Sequence, residues 1–204
     1  MKQRSDEWFA ARCGKVTASR VPDIIATTKS GYSASRKNYA AQIVVERLTG
    51  KPADNFQSDA MKWGIDKEPE ARAVYEIVRK VSVEETGLVV HPAIPMSGAS
   101  PDGLVGEEGQ IEIKCPNTAQ HIETLISQAV PEKYLTQMNW QMACTGRQWT
   151  DFVSFDPRMP PHLRLFIRRV ERDKPHIAFL EEQVKLFLAE IDKTLAGLEA
   201  LRAK

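Results

Sequence analysis

The sequence predicts one α/β domain over residues 1–204, a mixed central β-sheet flanked by α-helices. Short alternating stretches crowd the middle of the chain, and long stretches with apolar residues three and four apart lie on either side of them. The length of 204 residues suits one substantial domain and is short for two. Composition is that of an ordinary globular chain, 42% hydrophobic and 27% charged, which argues against disorder. No apolar run approaches the roughly 20 residues needed to cross a bilayer, and MKQRSDEWFAARC lacks the apolar centre of a signal peptide. A cytoplasmic protein with no membrane partner is therefore expected. Cys13, Cys115 and Cys144 are too few and too scattered for a disulfide framework, a zinc site or a four-cysteine cluster.

In chain order, a short helix is expected over 6–12, with Trp8 and Phe9 available for burial and Gly14 ending it. Thr17 then reads as the N-cap of a second helix that runs through Val21, Ile24 and Ile25 and tolerates Pro22 in its first turn. Lys29-Ser30-Gly31 reads as a loop. Over 35–48, Tyr39, Ile43, Val44 and Leu48 recur at helical spacing as a core face, and Gly50-Lys51-Pro52 stops the element. Ser58 caps a long pattern over 60–80 whose inner face is Ala71, Val74, Tyr75 and Val78, with a break expected where Gly64 and Pro69 fall. Strands are expected over 81–84, 87–91 and from Ile94 onward. Helices follow over 118–129 and from Pro131 to about Cys144, and on the second of these Tyr134, Gln137, Met138 and Gln141 share one face. Strands over 149–155 and 163–170 come next. The amphipathic pattern from 174 to the end carries Ile177, Leu180, Val184, Phe187, Ile191, Leu195 and Leu198, either packed on the body or docking a partner.

The chemistry concentrates in 97–116, SGASPDGLVGEEGQIEIKCP. A strand over 111–115 puts Glu112 and Lys114 on one face and Ile111, Ile113 and Cys115 on the other. The glycines of GLVGEEGQI punctuate a hairpin that returns Asp102 alongside Glu112. Two carboxylates brought together repel unless a cation sits between them, and hard oxygen ligands suit Mg²⁺ or Mn²⁺. The Ile113 carbonyl is a neutral third ligand, and Lys114 is placed to orient or deprotonate an attacking water. Residues 1–51 hold 10 Lys+Arg against 4 Asp+Glu, and residues 52–110 hold 5 against 11, which fits either a region that grips phosphates beside one that binds cations or a mixed solvated surface.

Ser100-Pro101-Asp102-Gly103 followed by Glu112-Ile113-Lys114-Cys115-Pro116 resembles the signature of PD-(D/E)xK nucleases, and within them the lambda-type, YqaJ-like phage recombination alkaline exonucleases. Arg12-Cys13-Gly14-Lys15-Val16-Thr17-Ala18-Ser19, Trp63-Gly64 ahead of Glu68, Tyr134 ahead of Gln137, and Asp156-Pro157-Arg158-Met159 extend the resemblance over about residues 5–172. It implies a restriction-endonuclease-like fold and a Mg²⁺-dependent 5′→3′ exonuclease on linear double-stranded DNA. Such an enzyme leaves 3′ single-stranded tails and works as a ring-shaped homotrimer beside a single-strand annealing protein in the host cell cytoplasm. It further implies Glu68 and Gln137 in the catalytic cluster, Arg12, Ser19 and Ser100 around a DNA 5′-phosphate, and Lys29 and Met61 against DNA. Gln120 stands where the family carries a further arginine. Arg158, Arg164, Arg168 and Arg169 either face DNA or flank an edge strand. An endonuclease of the same fold and a non-catalytic DNA-end binding module are the competing readings, and cutting of closed circles separates the first from an exonuclease.

Overall fold

The computed structural model describes residues 1–53 and 58–201. In chain order the elements are α1 (Asp6–Arg12), β1 (Val16–Thr17), α2 (Val21–Ile25), β2 (Thr27–Thr28), β3 (Gly31–Tyr32), α3 (Ala34–Thr49), α4 (Asp59–Arg79), β4 (Val83–Glu84), β5 (Val89–His91) and β6 (Ile94–Ala99). There follow β7 (Gly103–Val105), β8 (Gly109–Lys114), α5 (Thr118–Ser127), α6 (Glu132–Thr145), β9 (Trp149–Phe155), β10 (Leu165–Glu171) and α7 (Lys174–Glu199).

Mixed α/β architecture with helices on both sides of the sheet is what the structure shows, and the strands divide into two main sheets. The larger has the order β10-β9-β8-β7-β4, antiparallel except where β8 and β9 run parallel, with Glu112 opposite Phe152 and Lys114 opposite Ser154. The smaller is β1-β6-β5, in which Val16 and Thr17 pair in parallel with Ser97 and Gly98. Lys29 and Ser30 lie between β2 and β3, which form a separate small hairpin.

The alternation of β8 decides the layering. Ile111, Ile113 and Cys115 point to α4, where they bury with Ala71 and Tyr75. The other face, carrying Glu112 and Lys114, is covered by α6, and Phe152 there packs with Met138 and Phe166. A third core joins the small sheet to α2, α3, α6 and α7 through Val16, Ile24, Tyr39, Ile43, Trp140, Leu180 and Phe187. Full burial of side chains of this size contributes about 1.5–3 kcal/mol each, so α6, which enters both cores through Trp140 and Met138, is firmly held.

Several local expectations are corrected. Thr17 belongs to β1 and makes no side-chain cap; a 3₁₀ turn over Ala18–Arg20 leads into α2 instead of one longer helix. Its backbone N–H donates to the Tyr39 hydroxyl at 3.0 Å, so tertiary contact supplies what a cap would have. α4 runs unbroken through Gly64 and Pro69, with Ser58 capping it by accepting from the Met61 N–H. Leu48 and Val78 are about half exposed, 50% and 56%, rather than core, because they fall at the edges of faces that Tyr39, Ile43, Ala71 and Tyr75 already fill. Leu198 is likewise largely exposed on α7. The expected continuation of the last helix to 204 falls partly on residues outside the described ones.

Candidate active site

Asp102 stands in the turn between β6 and β7. Its N–H donates to the Ile111 carbonyl at 3.2 Å, and its Oδ2 accepts from the Ile113 N–H at 2.6 Å. The hairpin thus clips the carboxylate against the strand that carries Glu112. Gly103 leaves the necessary room, since a Cβ there would come within 2.1 Å of Val83 Cγ1.

Glu112 is 1% exposed, and each of its oxygens meets a donor. Its Oε1 accepts from Gln137 Nε2 at 2.7 Å and is ion-paired to Lys114 Nζ; its Oε2 accepts from Gln141 Nε2 at 2.5 Å. Gln137 and Gln141 are one helical turn apart on α6, so one face of one helix orients the carboxylate. Burial would drive Lys114 toward its neutral form, yet Glu112 and Asp102 outweigh it and hold the ammonium above its usual pKa. Burial pushes the Asp102 carboxyl well above its usual range, and the charges of Glu112 and Glu68 push it the same way.

Glu68 is buried on α4, whereas Glu70 is exposed. Arg72 donates to it at 2.9 Å and Arg4 pairs with its other oxygen. Arg4 reaches it from a left-handed backbone, φ 66°, in an N-terminal segment that Gln3 ties to the Pro101 and Thr86 carbonyls at 2.8 and 3.0 Å.

Three adjoining cavities form a cleft across this centre. The first, about 320 Å³, is lined by Arg4, Arg12, Lys15, Ser19, Arg20 and Tyr39 among others. The central one, about 490 Å³, is lined by Ser19, Met61, Glu68, Asp102, Ile113 and Lys114, with Arg4, Gln120 and Tyr134. The third, about 350 Å³, lies beyond Lys114 and Tyr134 and runs between α5 and α6 past Gln120, Thr124 and Lys133. Arg12 stacks 3.9 Å over the Trp8 ring, and Trp8 Nε1 donates to Ser100 Oγ at 2.9 Å. Burial lowers the Arg12 pKa, with Tyr39 and Glu46 opposing.

Of the residues singled out in the sequence, Ser19, Met61, Glu68, Asp102, Ile113 and Lys114 meet in the central cavity, and Gln137 reaches Glu112 from behind. Arg12 lines the first cavity beside Ser19. Ser100 lies one step removed, held by Trp8, and Lys29 sits in the exposed β2–β3 turn outside all three cavities. Met61 is 53% exposed, as a residue facing the cleft must be. Sequence reading missed Arg4 and Arg72, which hold Glu68, and Gln141, which holds Glu112. Gln141 was traceable, since it shares the helical face of Gln137; the arginines act across the fold and left no local pattern.

No three His, Cys, Asp or Glu side chains are grouped as a metal cage among the described residues. The donor set is instead two neighbouring carboxylates, Asp102 and Glu112, with the Ile113 carbonyl between them in sequence and Glu68 at the same cavity. It fits a small hard cation, because the upward push on Asp102 comes in part from carboxylates that such a cation would neutralise.

This fold is that of a known class. The chain belongs to the YqaJ-like viral recombinase domain family, which matches residues 7–148. Among solved structures it is similar to the alkaline exonuclease LHK-Exo from Laribacter hongkongensis, at 50% identity over 98% of both chains with a TM-score of 0.91. The structure of LHK-Exo in complex with dAMP superposes with a TM-score of 0.92, at the same identity and coverage. A phage-related exonuclease from Haemophilus somnus 129PT shares the fold at 18% identity, with a TM-score of 0.73 over 90% of this chain and 96% of that one. Curated proteins returned no match.

Proposed function

We propose that the chain is a divalent-metal-dependent exonuclease, one domain throughout, that removes nucleotides from the 5′ ends of linear double-stranded DNA and leaves 3′ single-stranded tails for recombination. The observation that carries this reading is the Asp102–Glu112–Lys114 group, Glu112 buried and the other two half-buried, opening on a cleft whose next cavity is lined by four basic side chains. Membership of the family and likeness to an alkaline exonuclease solved with a mononucleotide support it.

Asp102, Glu112 and the Ile113 carbonyl would hold Mg²⁺, or Mn²⁺, with Glu68 serving a second ion or its waters. When bound, the cation lowers the pKa of a water and offsets charge building on the phosphate. The residues of the chain do the rest. Gln137 and Gln141 keep Glu112 from rotating. Lys114, held as an ammonium by its pairing with Glu112, is a donor that positions the attacking water or a phosphate oxygen; it accepts a proton only once that pairing is released. Arg12 and Ser19, with Ser100 behind Trp8, receive the terminal 5′-phosphate, and Met61 stands at the cleft mouth against the terminal base pair. Gln120 supplies an amide where the resemblance leads one to expect a guanidinium, which makes the phosphate grip weaker than in the family pattern. A homotrimeric ring would keep a chain of net charge only +1 on its DNA by topology, and a single-strand annealing protein would take up the product.

Digestion of linear duplex DNA with Mg²⁺, each strand end-labelled and a closed circle alongside, tests the reading. The 5′ label is expected to be released as a mononucleotide while the 3′-labelled strand shortens, the circle to survive, and Lys114→Ala to abolish cleavage while retaining folding and most DNA binding. Cutting of the circle, or full activity in Lys114→Ala, would overturn it.

A further inference from the structure

We propose that Arg158, braced by Asp156, is a positioning residue that clamps the strand end carrying Lys114 to the helix carrying Glu68. The inference rests on the catalytic roles given above to those two residues.

Asp156 follows directly on β9 and is fully buried, 0% exposed. Its Oδ1 accepts from the Arg158 N–H at 3.0 Å and from Arg158 Nε at 2.7 Å. Its Oδ2 accepts from Arg158 Nη2 at 3.0 Å and from Thr118 Oγ1 at 2.7 Å. So fixed, the guanidinium makes two further contacts, one to each of two elements. Nη2 donates to the Pro116 carbonyl at 3.2 Å, two residues beyond Lys114, and the guanidinium carbon lies 4.5 Å from the centroid of the Trp63 ring, on α4 ahead of Glu68. Pro116 itself lines the central cavity.

The two groups that must act together sit on elements that diverge. β8 ends at Lys114 and the chain turns away into α5, while α4 is a separate layer on the other side of the sheet. Arg158 bridges them near the site, and its planar fork does so in a geometry an ammonium does not reproduce. Nε and Nη2 of its fork are committed to Asp156 and Pro116. Misplacement of a catalytic group by about 1 Å costs on the order of 100-fold in rate, so a clamp here acts on turnover rather than on DNA affinity.

The test compares Arg158→Ala, Arg158→Lys, Glu68→Gln and the Arg158→Ala/Glu68→Gln double variant. Initial rates on saturating linear duplex are measured across a Mg²⁺ titration, and DNA affinity across a salt series in chelator. Arg158→Ala is expected to lower kcat by on the order of 10- to 100-fold and to raise the Mg²⁺ needed for half-maximal rate. KM and the salt slope should stay at their wild-type values, and Arg158→Lys, which keeps the charge and fold, should show the same pattern more mildly. The Arg158→Ala penalty should shrink in the Glu68→Gln background, because the two residues act through one placement.

A penalty carried unchanged into an impaired Glu68→Gln background overturns the clamp alone. Wild-type rate and Mg²⁺ dependence in Glu68→Gln remove the role of Glu68, and the clamp with it. A salt slope reduced by about one with kcat intact makes Arg158 a phosphate contact instead.

Discussion

Glu112 is almost wholly buried, so its charge has to be matched by its neighbours, and the match shows what each neighbour is for. Lys114 neutralises it, while Gln137 and Gln141 donate one hydrogen bond to each oxygen. A hydrogen bond to a charged group contributes about 1.5–3 kcal/mol, and deleting one from a buried carboxylate also exposes the desolvation cost it concealed. Gln141→Leu is therefore expected to lower both melting temperature and kcat, the latter by about tenfold or more, since 1.4 kcal/mol is a factor of ten. A steady-state assay beside a thermal melt checks this, and a stable variant with wild-type kcat would show that Gln137 and Lys114 suffice to orient Glu112. This scale also marks how far the sequence could be read. Asp102, Glu112 and Lys114 follow from strand alternation and a hairpin, both local rules. Gln137 came by resemblance to a motif. Arg4 was out of reach, because its pairing with Glu68 spans 64 residues and depends on a left-handed backbone that an arginine seldom adopts.

Among the elements, α4 shows a local rule overridden. Proline removes the N–H that would bond the residue four earlier, here Ile65, and a break was expected at Pro69. The helix continues because Pro69 is exposed, where water can satisfy the orphaned carbonyl, and because Ala71 and Tyr75 anchor the following turns in the core. Continuity is what carries Glu68 to the cleft on a rigid rod. The loop after β9 is rigid for a different reason, and its rigidity depends on pH. Burial alone would raise the Asp156 carboxyl, but hydrogen bonds from Arg158 and Thr118 outweigh it and hold the pKa at about 2, against an ordinary 3.8. A depressed pKa in the folded state stabilises the fold at every pH above the unfolded value and loses that contribution as pH falls from about 4 toward 2. The shift corresponds to about 1–2 kcal/mol once the half-exposed partner Arg158 is allowed for. Urea midpoints should accordingly place Asp156→Asn below wild type at pH 7 and level with it near pH 2. A gap that persists at pH 2 would assign the loss to packing and not to the carboxylate charge.

Across the whole molecule, the uneven charge of the chain becomes a gradient along the cleft. Counting along the sequence separated a basic first quarter from an acidic middle but could not show that they adjoin. They do so through β1, two residues long, which pairs with β6 some 80 residues later and lays the Arg12 segment beside the turn that carries Ser100 and Asp102. A strand of two residues has no periodicity to detect, and the division of the strands into two sheets was hidden for the same reason. The resulting order, cationic cavity and then carboxylates, matches a DNA end whose terminal phosphate lies one nucleotide from the bond to be cut. Arg12 is the residue to probe, because it lines the first cavity but not the central one. Arg12→Ala should reduce the preference for 5′-phosphate over 5′-hydroxyl ends and lower the slope of log affinity against log salt by about one, the contribution of one phosphate contact. Turnover on 5′-hydroxyl ends should remain, since Asp102, Glu112 and Lys114 are untouched. Should the preference survive in Arg12→Ala, the first cavity does not hold the terminal phosphate. The strand would then enter from the opposite end, past Gln120 and Lys133, where the cleft offers an amide and a single exposed ammonium in place of the family's arginine.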